Sequence, residues 1–135
     1  MGYSLNAGFS EAKPWLKVAD NYKDINVENE LANGRIFKYY QQLIKLRKDY
    51  SVISEGTYRG IQLEHKDVYA YVREYDNQKL IVLNNFYGRE TEFTIEEDID
   101  FNNSEILISN YDDVELTKKI KLRPYECLAI LFTAK

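Results

Sequence analysis

With 135 residues the chain has room for one ordinary domain with a real core, and 44% apolar with 30% charged residues makes it soluble and globular. Eighteen basic residues against 22 acidic give a net charge of −4 with no basic cluster, which argues against a nucleic-acid footprint. No apolar run approaches the roughly 18 residues of a membrane span. The start lacks a signal-peptide pattern, and Cys127 has no second cysteine to pair with, so a cytoplasmic protein is expected.

Residues 1–33 carry no long periodic pattern. Gly2, Gly8 and Pro14 interrupt it, and Asn6, Asn21 and Asn26 suit turns. Phe9, Trp15, Leu16, Val18, Tyr22 and Ile25 nevertheless need cover, so the segment reads as a long loop packed on a surface. Loops of that length in compact domains are uncommon and often functional. A short helical turn is expected over Val27 to Ala32, with Asn26 as its cap.

The stretch from Gly34 to Tyr50 organises the chain. Ile36, Tyr40, Leu43, Leu46 and Tyr50 recur at steps of three and four, which places them on one helical face. Phe37, Tyr39 and Ile44 widen that stripe, and Arg47 and Lys48 complement the helix dipole in the last turn. A stripe this wide calls for partners on more than one side. The short, irregular segment before it is too small to be one of them, which suggests a part of something larger.

Beyond the helix the period changes to two. Strands are expected over Gly56 to Leu63, Val68 to Tyr75, Lys79 to Asn85, Glu90 to Ile95, Ser104 to Ser109, Leu116 to Leu122 and Glu126 to Thr133. In the second, Val68, Ala70 and Val72 face one way and Tyr69, Tyr71, Arg73 and Tyr75 the other. Asp76-Asn77-Gln78 makes a hairpin turn. Leu80-Ile81-Val82-Leu83 is apolar on both faces, as a central strand is, and Pro124 is expected at the start of the last strand. The whole reads as an antiparallel sandwich.

Candidate chemistry is sparse. The carboxylates gather in Glu96-Glu97-Asp98-Ile99-Asp100 and Asp112-Asp113-Val114-Glu115, turn-rich runs that read as solvated loops without the spacing of a calcium loop. His65, the only histidine, is expected exposed in a turn, and no metal or cofactor is expected. Cys127 reads as a strand residue. The 12 tyrosines fit a tyrosine-rich β-domain or, alternatively, a sugar-stacking platform on Tyr69, Tyr71 and Tyr75.

Several motifs change this picture when taken together. Asn6-Ala7-Gly8-Phe9-Ser10 is followed by Lys13-Pro14-Trp15-Leu16-Lys17-Val18 and Asn21-Tyr22-Lys23-Asp24-Ile25-Asn26-Val27. The helix from Ile36 to Lys48 comes next, then Leu83-Asn84-Asn85-Phe86-Tyr87 and Leu122-Arg123-Pro124-Tyr125-Glu126. In this order and spacing they resemble the C-terminal part of glycoside hydrolase family 13 α-glucosidases of the oligo-1,6-glucosidase, dextran glucosidase and trehalose-6-phosphate hydrolase group, from Asn6 onward.

The resemblance implies a mainly β fold with one long α-helix. In those enzymes a (β/α)8 barrel precedes an antiparallel β-sandwich of the amylase C-terminal type. Residues 6–50 would be the last barrel loop and helix and residues 51–135 the sandwich. Residues 1–5 stand where the family has a strand end with Trp and Asp, and read as a foreign or tag-derived start. The family's catalytic carboxylates lie on earlier strands, so no catalytic residue is carried over. Asn6 and Phe9, on a βα loop at the active-site face, would border the sugar pocket. The implied function is the structural C-terminal piece of a retaining enzyme that cleaves short α-glucosides, inert alone. Its partner would be the missing barrel, with self-association in isolation. The alternative is a stand-alone carbohydrate-binding or interaction β-domain.

Overall fold

The computed structural model describes residues 2–134; Met1 and Lys135, which end the first and last of the expected segments, lie outside the described residues. The chain forms two compact units, Met1–Ile44 and Lys45–Lys135.

The first unit opens with a 3-10 turn, Leu5–Gly8, whose Asn6 and Ala7 adopt left-handed dihedrals (φ 54° and 56°) ahead of Gly8 (φ 77°). Asn and Gly tolerate that region well, which explains two of the three residues. Helix α1, Val27–Asn33, is capped as the sequence suggests, with the Asn26 side chain accepting from the Asn29 N–H at 2.9 Å. Asn26 is itself buried and donates to the carbonyls of Tyr22 and Lys23. Helix α2, Ile36–Asp49, runs across the boundary between the units. The apolar stripe expected to be buried is not covered by this chain: no residue of α2 is fully buried, and Ile36 is 80% and Tyr40 66% exposed. Helices α1 and α3, the latter Ser51–Ser54, stand beside α2, so the helical content is not confined to one element.

The second unit is a mostly antiparallel β-structure of β1 (Arg59–Ile61), β2 (Val68–Tyr75), β3 (Gln78–Asn85), β4 (Thr91–Thr94), β5 (Ser104–Ser109), β6 (Lys119–Leu122) and β7 (Cys127–Thr133). Five strands form one sheet in the order β1-β2-β3-β7-β5, and β4 pairs with β6 in a second. Strand β3 is central, as its two-faced apolar run requires. The Asp76-Asn77 turn sets Tyr75 opposite Gln78 and so fixes the β2–β3 register, with Asp76 at φ 50°. Strands β1 and β6 are shorter than the sequence suggests. Pro124 lies in the turn before β7 rather than in the strand.

The period-two alternation generates two apolar clusters. Between the sheets, Val68, Ala70, Val72, Ile81 and Leu83 pack with Phe93, Ile95, Ile120, Leu122, Leu128 and Ile130. On the outer face of the five-stranded sheet, Val52 of α3 closes over Leu80 and Leu131, with Tyr75 and Val82 against them. Arg73 locks α3 down, donating from Nε to the Val52 carbonyl at 3.1 Å and from Nη2 to the Gly56 carbonyl at 2.6 Å. This neutral-acceptor arrangement explains how an arginine fits an otherwise apolar sheet face.

Candidate functional site

In the first unit, Asn6 is turned inward on its own loop. Its Nδ2 donates to the carbonyls of Ser10 at 2.7 Å and Ala12 at 3.0 Å, which closes residues 6–12 into a compact bend. Phe9, three residues on, is 71% exposed. The pair therefore divides: Asn6 shapes the loop and Phe9 is presented by it.

In the second unit, Tyr69 and Tyr71 come together on the outer sheet face with ring centroids 5.9 Å apart. Tyr75, at the α3 end of the same strand, packs with the Val52 cluster instead. Two residues that the alternation did not single out complete the aromatic group. Tyr58, just before β1, lies 5.4 Å from Tyr71, and Phe86, just after β3, meets Tyr69 edge-on at 6.4 Å. The only signal for either was parity: each falls on the outward side of the strand it flanks. The hydroxyls of Tyr58 and Tyr69 share a hydrogen bond of 2.6 Å, which holds the Tyr58 phenol above its ordinary value. Burial does the same for Tyr71. The rings are tilted by 40° to 64°, so they form a faceted pad rather than a flat platform. Beside them an open groove of about 290 Å³ is lined by Leu63, His65, Tyr69, Phe86 and Tyr87, among others.

The motifs Leu83-Asn84-Asn85-Phe86-Tyr87 and Leu122-Arg123-Pro124-Tyr125-Glu126 meet in one polar knot. Asn85, buried, donates from Nδ2 to the carbonyls of Arg89 and Arg123, and its backbone N–H donates to the Glu126 carbonyl. Glu126, 2% exposed, accepts from the Arg123 backbone N–H at 2.7 Å, its Nε at 3.0 Å and its Nη2 at 2.9 Å. The same guanidinium bonds Asp113 at 2.5 Å and lies 3.9 Å over the Tyr111 ring. Burial alone would raise Glu126, but the Arg123 hydrogen bonds outweigh it and hold the carboxyl below its ordinary value. Arg123 likewise lowers Asp113, and both carboxylates raise Arg123. Tyr125 is set at φ 56° in the turn between these groups. With every partner accounted for, the knot reads as architecture.

Two other expectations are corrected. His65 is half-buried rather than free in a turn: Nδ1 accepts from the N–H groups of Asp67 and Val68, Nε2–H donates to the Glu92 carbonyl, and the ring leans on Phe93. The neutral tautomer with the proton on Nε2 is the one that satisfies all three. The carboxylate runs are not simply solvated loops. Glu97 accepts from Arg59 and Lys79, and these bonds outweigh burial to hold it below its ordinary value. Among the described residues no group of three or more His, Cys, Asp or Glu is placed to hold a metal, and no helix is long and apolar enough to cross a membrane.

Comparison with known proteins matches residues 2–56 to the family model for the catalytic domain of alpha amylase and residues 68–128 to that for the alpha-amylase SusG C-terminal domain. The chain belongs to glycoside hydrolase family 13, the α-amylase family, and corresponds to the C-terminal part of its members. It is 40% identical over 131 residues to the trehalose-6-phosphate hydrolase of Bacillus subtilis (strain 168), covering 95% of this chain and 23% of that protein. It is 42% identical over 125 residues to the oligo-1,6-glucosidase of Bacillus cereus, covering 91% and 22%. The crystal structure of Bacillus licheniformis trehalose-6-phosphate hydrolase superposes with a TM-score of 0.84 at 39% identity, over 98% of this chain and 25% of that one. The chain thus spans about a quarter of the length of these relatives.

Proposed function

We propose that the chain is the structural C-terminal part of an α-glucosidase that hydrolyses short α-glucosides with retention, and that it is catalytically inert by itself. The observation that carries this reading is the pair of matches in one chain, catalytic-domain end followed directly by C-terminal domain. Residues 6–50 are taken as the last loop and helix of a (β/α)8 barrel. Phe9, exposed at the tip of the bend that Asn6 closes, is the better placed of the two to border a sugar pocket. A single cysteine fits a cytoplasmic enzyme.

The test is a hybrid in which this chain replaces the matching C-terminal quarter of the Bacillus subtilis trehalose-6-phosphate hydrolase. The hybrid should hydrolyse trehalose 6-phosphate, whereas the 135-residue chain alone should turn over neither that substrate, isomaltose nor p-nitrophenyl α-glucoside. A folded but inactive hybrid, or turnover by the chain alone, overturns the proposal. The exposed α2 residues Ile36, Tyr40 and Ile44 lead us to expect self-association of the isolated chain. A monomer in light scattering across a wide concentration range counts against that.

A carbohydrate-binding role is the second reading, favoured by the half-exposed Tyr69 ring at the edge of an open groove. The tilts of Tyr69, Tyr71 and Phe86, and the place of Tyr75 in the Val52 cluster, weigh against it, since a sugar stacks best on a flat ring face. Tyrosine fluorescence unchanged by millimolar isomaltose and maltose oligomers would dismiss it.

A further inference from the structure

We infer that the outer face of the five-stranded sheet is the seat of the catalytic domain in the full-length enzyme, with Tyr58, Tyr69, Tyr71 and Phe86 forming the part of the seat that this chain leaves uncovered. The inference rests on the functional reading above and adds to it the surface and the residues.

Continuity is the first argument. Helix α3 lies inside the stretch matched to the catalytic domain, and it sits on this face already. Val52 is fully buried there against Leu80 and Leu131, and Arg73 and the Thr57 N–H tie its exit to β2. The terminal segment of the catalytic domain therefore occupies one end of the face. The aromatic pad occupies the other end of the same strands, and Tyr71 stands two residues from Arg73 on the same side of β2.

Composition is the second. At the pad end the outward positions of β2, β3 and β7 are Tyr69, Tyr71, Val82, Asn84, Cys127 and Ala129, none of them charged. The outward side of the β4–β6 layer carries exposed Glu92, Lys119 and Lys121, with Lys119 paired to Glu92 and Lys121 to Glu90. That layer has the chemistry of a surface facing water. The pad has the depletion of charge and the wealth of tyrosine that mark the core of an interface. Yet Tyr58 is 55%, Tyr69 46% and Phe86 65% exposed.

Preorganisation is the third. The Tyr58–Tyr69 hydroxyl bond and the three ring contacts fix the side chains before anything docks, so little rotamer freedom remains to be lost.

The hybrid enzyme tests the assignment by hydroxyl-radical footprinting. Tyr69 and Phe86 should be oxidised at least fivefold more slowly in the hybrid than in the 135-residue chain alone. The pair Tyr69→Lys with Phe86→Lys should speed thermal inactivation of the hybrid at least fivefold and leave the unfolding midpoint of the chain alone unchanged within a degree. Equal oxidation rates in an active hybrid, or an inactivation rate unmoved by the pair, overturn the seat while sparing the family role. An unsubstituted hybrid that cannot fold sinks the functional reading and the seat with it. Protection that appears only when isomaltose oligomers are added assigns the pad to sugar and overturns the inference. Protection in the chain alone that grows with its concentration assigns the pad to a second copy and overturns it likewise.

Discussion

Glu126 carries the polar knot, and replacing it by glutamine tests that claim most directly. The carboxylate is 2% exposed and takes three hydrogen bonds from Arg123, two of them from the guanidinium. Glutamine keeps the volume but removes the charge, and it turns an NH2 toward a group that can only donate. Hydrogen bonds to a charged partner are worth about 1.5–3 kcal/mol each, and breaking a buried pair costs about 3–5 kcal/mol. The Asp113 bond that survives lowers the estimate, so Glu126→Gln should destabilise the β-unit by about 3 kcal/mol. Asp113→Asn breaks a similar contact from an 86% exposed side chain and should cost under about 1 kcal/mol. Urea unfolding followed by far-ultraviolet circular dichroism reads both. The only tryptophan, Trp15, is in the other unit and 93% exposed, so its emission is a poor probe. At an m-value of about 2 kcal/mol/M the midpoint should fall by about 1.5 M for Glu126→Gln. The pH arm has a definite sign. Glu126 is held below its ordinary value in the fold, so its contribution is complete above the unfolded-chain value of about 4.3 and drains away as pH falls below it. Glu126→Gln should therefore flatten the acid limb of the stability curve. Equal costs for the two variants, or an unchanged acid limb, would refute the reasoning.

Other expectations are as direct. Val52→Ala removes a fully buried side chain from the joint between α3 and the sheet and should cost about 2 kcal/mol, read by thermal unfolding, with faster amide exchange at Thr57, whose N–H bonds the Glu74 carbonyl. His65→Ala should speed amide exchange at Asp67 and Val68, and His65→Asn should restore much of the protection by supplying an acceptor near the place of Nδ1; equal exchange in both variants would count against the imidazole as the acceptor. Asn26→Ala removes the cap of α1 and two further bonds, and should cost the first unit about 1–2 kcal/mol, seen as faster exchange at Asn29.

Where the sequence was legible, a local rule sufficed. The period-two run Val68–Tyr75, the Asp76-Asn77 turn and the apolar Leu80–Leu83 together specify the central hairpin, because a two-residue turn and a buried face leave one register. Asn26 announces its helix because a cap acts within three residues. The motif series reached the family because the motifs stand in their order over the whole chain, so the comparison adds extent and identity to a reading already made. Legibility failed where partners lie far apart in the chain. Nothing local pairs Asn85 with Arg123, 38 residues on, or sends His65 to the Glu92 carbonyl. Tyr58 looked like an isolated loop residue until β1 set it beside Tyr71.

The amino-acid sequence by itself determined the strands, the central hairpin, the capped α1 and the family, since periodicity, capping and motif order act over short or ordered stretches. Only the tertiary structure decided which tyrosines meet, that Tyr75 belongs with Val52, and that Arg123 and Glu126 close the knot with Asn85. Those contacts depend on strand order and on loops that bring distant residues within hydrogen-bond range, and neither strand order nor loop path is encoded in any local pattern of residues.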